Sequence, residues 1–396
     1  MDGLNFKSRT EYLGSIFRLI EQFELISRTD LAKLSGLAPA TITNLTKLLI
    51  DHRFVLERTT QASTSRGRPA VGLAVSPLYW KLLSVVISES QLTLSLSELD
   101  DTLLAEQHYF LDLNLPLAEW ISNKILTFKQ AHCEPDQPLL AVSISVRGKI
   151  DPSKTAIIQL GSTPLHCPIV ETLAPQLECP LLLNEHFQLW LLTESTKGSL
   201  IRHHNAIFLE LSEQIRLSVL VKGELLHKRA KMNVDKMLMP PFSELSEQIY
   251  PELPPIERYQ LHNQISLSAL LRLIDRHLPN SHTTSGAKID FFCQQVQQQN
   301  ANALRILNHL SQNLAYMLMN LTNLFSVEKI MLNSPFSAIK NVLFEQVSHH
   351  LQQHLLGEDR VVDLVESQYE KEDGLIPNMA IKQQIYAGTL FNGVNL

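Results

Sequence analysis

The stretch Ser27-Arg28-Thr29-Asp30-Leu31-Ala32-Lys33-Leu34-Ser35-Gly36-Leu37-Ala38-Pro39-Ala40-Thr41-Ile42-Thr43-Asn44-Leu45-Thr46-Lys47-Leu48-Leu49 decides the fold of the N-terminal part of the chain. Ser27 and Asp30 have the S-x-x-D spacing of a capping box, whose hydroxyl and carboxylate are expected to satisfy orphan amides. A helix therefore begins after Ser27, with Leu31 and Leu34 as its expected buried side. Gly36 ends that helix, because a left-handed cap suits a residue without Cβ. Pro39 fits the first turn of the next helix, where Ile42, Leu45 and Leu49 recur at the spacing of an inward stripe. Two short helices joined by a tight turn make a helix-turn-helix. Ala40, Thr43, Asn44 and Lys47 are left on the outward face of the second. Short side chains near a helix N-terminus allow it to approach base edges in a major groove, whereas bulky ones hold it off, so these four are the candidate base-reading residues. The plainer alternative is a three-helix bundle with a polar face, and the flanking sequence argues against it.

Upstream, Leu13, Ile16, Phe17 and Ile20 repeat at helical spacing within Thr10 to Phe23, giving an amphipathic first helix. Downstream, Phe54 to Glu57 and Val71 to Val75 read as two strands joined across Gln61 to Pro69, the layout of a wing. The joining loop carries Ser65-Arg66-Gly67-Arg68-Pro69. Glycine and proline keep that run extended and slim enough for Arg66 and Arg68 to enter a narrow minor groove. Residues 1–76 hold ten Lys and Arg against seven Asp and Glu, although the whole chain is net −6, so an anionic partner belongs at this end.

These segments together resemble the DNA-binding domain of ROK family regulators of the NagC/Mlc type: Leu19 to Leu31, Leu37 to Thr43, and Ser65 to Val71. The resemblance extends over the whole chain and is strongest in residues 10–110. It implies an α/β protein: a winged helix-turn-helix over residues 1–76, then an actin-like, sugar-kinase-like two-lobed body. The lobes are expected at residues 77–190 and 191–396, the second carrying a returning C-terminal helix, read from Met379 to Leu390. It also implies a cytoplasmic, oligomeric DNA-binding repressor of carbohydrate genes. Its partners would be an operator duplex, one or three further copies of the chain, and a sugar, a sugar phosphate or a phosphotransferase-type protein.

The body reads as an α/β fold that has lost its chemistry. Leu83 to Ile87, Leu92 to Leu96 and Leu103 to Tyr109 alternate as a three-stranded meander. In kinases of this kind the first hairpin turn is glycine-rich so that amides can reach nucleotide phosphates; here it is Ser88-Glu89-Ser90-Gln91, and a glutamate repels phosphate. The second phosphate hairpin, between strands Ile207 to Leu211 and Leu217 to Val221, has also lost its glycines. Val142 to Asp151 looks like the family's strand before a Val-Asp turn, with Arg147 where the family has proline. The resemblance further implies a sugar-binding role for Asn184, for Glu185 in the place of an aspartate, and for Asp235 in the place of a glutamate. Leu238 stands where a zinc-binding histidine is implied, and the family's cysteines are missing. A tetrahedral zinc site needs four N or S ligands, and nothing from His227 to His262 supplies them, so neither zinc nor another cofactor is expected.

Other features exclude more than they assign. A chain of 396 residues with 44% hydrophobic and 19% charged residues has the composition of a folded protein of two or three domains. The longest charge-free run, Ile306 to Val327, contains four asparagines, Gln312 and His309, which excludes a bilayer span. Cys133, Cys167, Cys179 and Cys293 show no C-x-x-C pair, against a disulfide framework or a compact zinc site. His349, His350 and His354 read as a polar helix face. Leu307, Leu310, Leu314, Met317, Leu321 and Leu324 space as a core or dimer helix.

Overall fold

A computed structural model describes residues 8–59, 71–134, 136–161, 163–201, 203–226, 234–352, 362–370 and 373–392. The chain forms two compact units, Met1–Thr193 with Tyr369–Leu396, and Glu194–Gln368. The winged-helix segment and the first sheet share one unit, and the last residues of the chain return to it rather than staying with the preceding lobe. No helix among the described residues is long and apolar enough to cross a membrane.

The first unit opens with helices α1 (Arg9–Phe23), α2 (Arg28–Ser35) and α3 (Pro39–Asp51), then the antiparallel pair β1 (Val55–Thr59) and β2 (Val71–Val75). Ser27 caps α2 as expected, accepting from the Asp30 amide at 3.1 Å. The Asp30 carboxylate, however, takes the Ser27 hydroxyl at 2.8 Å rather than a backbone amide. The full reciprocal box lies one helix earlier, at Ser8 and Glu11 on α1. Leu34 is also not buried: it is 53% exposed, while Leu31 is fully enclosed. An eight-residue helix has room for only a narrow inward stripe, so a residue one turn on can point to solvent.

A five-stranded sheet follows, in order β10-β6-β3-β4-β5. Its strands are β3 (Lys81–Ile87), β4 (Gln91–Glu98), β5 (Leu103–Phe110), β6 (Leu139–Val146) and β10 (Leu181–Glu185), with α4 (Leu117–His132) between β5 and β6. The meander expected at residues 83–109 is β3-β4-β5, antiparallel throughout. One face of the sheet is aliphatic and packs on α4 through Ile121, Ile125 and Phe128. The other face is hydroxyl-rich: Ser95, Ser84 and Ser143 are aligned across β4, β3 and β6. Strands β7 (Gly148–Ile150), β8 (Ile157–Leu160) and β9 (Thr163–Cys167) form a small sheet, and α5 (Ile169–Leu173) leads into β10. Helix α6 (His186–Lys197) carries the chain across to the second unit.

The second unit has a five-stranded sheet ordered β13-β12-β11-β14-β15. Its strands are β11 (Ala206–Glu210), β12 (Arg216–Val221), β13 (Glu224–Leu225), β14 (Lys329–Asn333) and β15 (Asp363–Val365). Short helices α7 (Leu245–Gln248), α8 (Pro255–Arg258) and α9 (Leu261–Ile265) precede α10 (Leu267–His277), α11 (Ser285–Gln297), α12 (Ala301–Phe325) and α13 (Lys340–His350). The leucine stripe of α12 is buried in this unit's core from Leu307 to Leu321. Leu324, assigned to the same stripe, is instead 73% exposed, because it lies in the final turn beyond the packed neighbours. On α13 the His350 ring bonds the Asn308 amide oxygen at 3.0 Å, and His354 lies outside the described residues.

The returning helix α14 (Asn378–Tyr386) stops four residues before the expected Leu390, which sits in a separate single turn. It lies between α1 and the hydroxyl-rich sheet face. Its Asn378 accepts from Ser84 Oγ at 2.6 Å and donates to Ser97 Oγ at 2.8 Å and to Asp101 Oδ1 at 2.9 Å. Lys382, fully buried, bonds Glu21 on α1 and, at 2.5 Å, Asp101 at the β4–β5 turn. Tyr386 donates to the other Glu21 oxygen, and burial followed by the Glu21 charge holds its hydroxyl protonated.

Candidate nucleic-acid interface

Helix α3 has the two faces its sequence requires. Ile42, Leu45 and Leu49 are buried, whereas Ala40, Thr43, Asn44 and Lys47 are exposed along the opposite side. Asn44 and Lys47 make no hydrogen bond or ion pair with another described residue, so both heads are available to a partner. The Thr43 hydroxyl donates to Pro39 O at 2.9 Å, which leaves its oxygen able to accept. Arg66 and Arg68 lie outside the described residues, although the strands that bracket them pair in register from Val55–Val75 to Thr59–Val71.

One functional group escaped the reading of the sequence. Arg28, at the start of α2, donates from Nε to Thr46 Oγ1 on α3 at 3.0 Å and pairs with Glu57 on β1 at 2.7 Å. It fixes both helices to the hairpin and is therefore a positioning residue. Thr46 is fully buried, and its spacing from Ile42 was the signal that it faces inward.

The end of α3 is tied to the sheet domain as well. The Trp80 indole N–H donates to His52 O at the C-cap of α3 at 2.9 Å. Its ring packs on Phe54, 5.6 Å away, and Phe54 meets Phe391 at 5.0 Å.

The implied sugar residues fall on different units. Asn184 and Glu185 end β10 in the first; the Asn184 amide oxygen accepts from Lys154 Nζ at 2.9 Å, and Glu185 Oε1 accepts from the Ile150 amide at 3.5 Å. Asp235 is half-buried in the second unit, where its carbonyl accepts from the His262 amide at 3.0 Å. His227 lies outside the described residues, and among those described no three His, Cys, Asp or Glu side chains cluster as metal ligands.

The two turns that the resemblance aligns with phosphate-binding hairpins each carry a glutamate. The Ser88 amide closes the first turn onto Gln91 O at 2.9 Å, and the Glu89 side chain lies against Gly161 so closely that a Cβ there would fall 1.7 Å from its carboxyl. In the second, Glu213 accepts from Ser268 Oγ, and the Ser212 hydroxyl turns back to Gln214 O at 2.7 Å.

The chain is 25% identical over 393 residues to the DNA-binding transcriptional repressor Mlc of Escherichia coli, covering 95% of this chain and 94% of that protein. A solved ROK family transcriptional regulator, described as a homologue of the E. coli Mlc protein, matches 98% of both chains with a TM-score of 0.79 at 23% identity. A putative sugar kinase from Cytophaga hutchinsonii shares the fold over 76% of this chain and 99% of its own, with a TM-score of 0.59 and 15% identity. Residues 261–385 match the ROK family model, and the similarity to Mlc runs almost end to end.

Proposed function

We propose that this protein is a DNA-binding transcriptional repressor of carbohydrate genes that has no kinase activity. The observation that carries the reading is α3, which buries its aliphatic stripe and presents Ala40, Thr43, Asn44 and Lys47 to solvent on a helix fixed to a two-stranded wing. Asn44 suits a bidentate contact with adenine, Lys47 a phosphate or guanine, and Arg66 and Arg68 the flanking minor groove. The name of its relative Mlc supports the same reading. One helix-turn-helix seldom binds tightly alone, so the working form is a homodimer or homotetramer on a two-fold operator.

Asn44→Ala is expected to lose about 1–3 kcal/mol on the operator and to relax the preference at one base pair. Gel-shift titration against the operator, single-position variants of it and random duplex checks this. Equal loss on every sequence would remove the base-reading role. Replacing Arg66 and Arg68 together should weaken binding mainly where the flanks are A·T-rich.

Carboxylates in both former phosphate turns, at Glu89 and Glu213, are the reason to expect no phosphoryl transfer. Neither ATP nor ADP should bind in calorimetry, and metal analysis should find no stoichiometric zinc. The sugar response is weakened or retargeted with it. Glu185, Asp235 and Leu238 replace groups implied to grip the ring, and each buried polar group left unpaired costs about 1–3 kcal/mol. Unmodified glucose and N-acetylglucosamine are therefore expected to bind only at about millimolar concentration or above. Micromolar binding of either, abolished by Glu185→Ala, would show that the altered site still works.

A further inference from the structure

We infer that the first unit holds an effector site, separate from Glu185 and Asp235, for a small organic monocarboxylate with an apolar body. A cavity of about 600 Å³ opens where the C-terminal end of α4 meets the starts of β6 and β10, and its lining includes Trp80, Lys129, Cys133, Leu140, Cys179 and Leu390. That volume is in the range of pockets that enclose drug-sized ligands.

The polar content of the hollow is lopsided. Lys129 is half-buried and makes no ion pair or hydrogen bond through its ammonium with another described residue. Among the described residues it is the one cation in the lining. Burial pushes the Cys133 and Cys179 thiols up, so both are neutral and supply no counter-charge. The lining carboxylates Glu134 and Glu178 are exposed at the rim, and neither pairs with Lys129. A half-buried ammonium beside an indole, leucines and two neutral thiols is complementary to an anionic head on an apolar body. The rim carboxylates disfavour a dianion such as a phosphate monoester, which would have to pass both.

The site is wired to the DNA-binding end. Trp80 lines the cavity and also bonds His52 at the end of α3, and Leu390 lines it next to Phe391, which packs on Phe54. A ligand that settles against Trp80 and Leu390 presses on the residues that seat the recognition helix, and it biases that helix by whatever its affinity differs between the two seatings.

Calorimetry of the full-length protein with benzoate, 3-phenylpropionate and octanoate, each beside its neutral amide, tests the assignment. At least one acid should bind at least tenfold more tightly than its amide, a gap that Lys129→Met should remove while thermal unfolding stays unchanged. In the native protein the same acid should slow N-ethylmaleimide labelling of Cys133 and Cys179 without protecting the buried Cys167 and Cys293. It should also shift operator affinity by about threefold or more, again only when Lys129 is present. Equal binding of acid and amide, no binding of any acid up to about 10 mM, or full binding by Lys129→Met each overturns the site. Binding without a change in operator affinity overturns its coupling to α3. The calorimetry needs no DNA, so failure of the repressor reading would leave its outcome intact.

Discussion

Lys382→Met is expected to destabilise the first unit by about 3–5 kcal/mol, the range found when one partner of a buried ion pair is removed. Lys382 is fully buried, and its ammonium is the common partner of Glu21 on α1 and Asp101 on the sheet side. A thioether of similar length keeps most of the packing but removes the ammonium that two carboxylates share, side-chain exposures 6% and 18%, leaving the Tyr386 hydroxyl on Glu21 and the Asn378 amide on Asp101 without a cation beside them. Adding Glu21→Gln to Lys382→Met should recover part of the loss, since the second change removes a charge the first left uncompensated. Urea unfolding followed by hydrogen exchange on α1 and α14 measures this unit apart from the other. A loss below about 1 kcal/mol, with no recovery in the double variant, would mean that water reaches the network and the charges are solvated.

Gly14→Ala is expected to be nearly as damaging, although it adds a single methyl. Gly14 lies on the inner side of α1 where α14 crosses, and a Cβ built on it would fall 2.3 Å from Tyr386 O and 2.5 Å from Ile385 O. Both obstacles are backbone atoms, so no rotamer change relieves the overlap and the helices must separate. Overpacking typically costs about 1–3 kcal/mol, and here the separation also stretches the Glu21 contacts to Lys382 and Tyr386. The unfolding midpoint should therefore fall by several degrees. Operator affinity should drop with it, because α1 carries the core on which α3 rests. A crystal structure of the variant with α1 and α14 unmoved would contradict the reading.

What the sequence made legible was local. Caps, a proline at a first turn, a left-handed glycine and aliphatic spacing fixed α1 to α3, because each signal acts within one or two helical turns. The meander and the outward face of α3 were legible for the same reason, through alternation and 3.6-residue periodicity. Asp30 and Leu34 went astray where several short-range partners compete: a carboxylate three residues from a serine can take its hydroxyl or its amide, and the motif is identical. The role of Arg28 was hidden, since its partners Thr46 and Glu57 are 18 and 29 positions away. Least legible was α14. Its stripe was visible, though its end was placed four residues late, and nothing in Lys382 announces a partner 361 residues earlier. The implied sugar residues rested on resemblance alone, and Asn184 turns out to be held by Lys154.

The seating of α14 also orders events during synthesis. Glu21 and Asp101 leave the ribosome early, whereas Lys382 and Tyr386 follow only after the whole of Glu194–Gln368 has been translated. At about 5–20 residues per second, the first unit spends tens of seconds without the Lys382 ammonium beside its α1 carboxylate and with the sheet face that α14 covers exposed. Nascent or prematurely terminated chains would thus carry a helix-turn-helix that is not yet firmly seated. Truncated products that lack α14 should therefore hold the operator less tightly than the full-length chain.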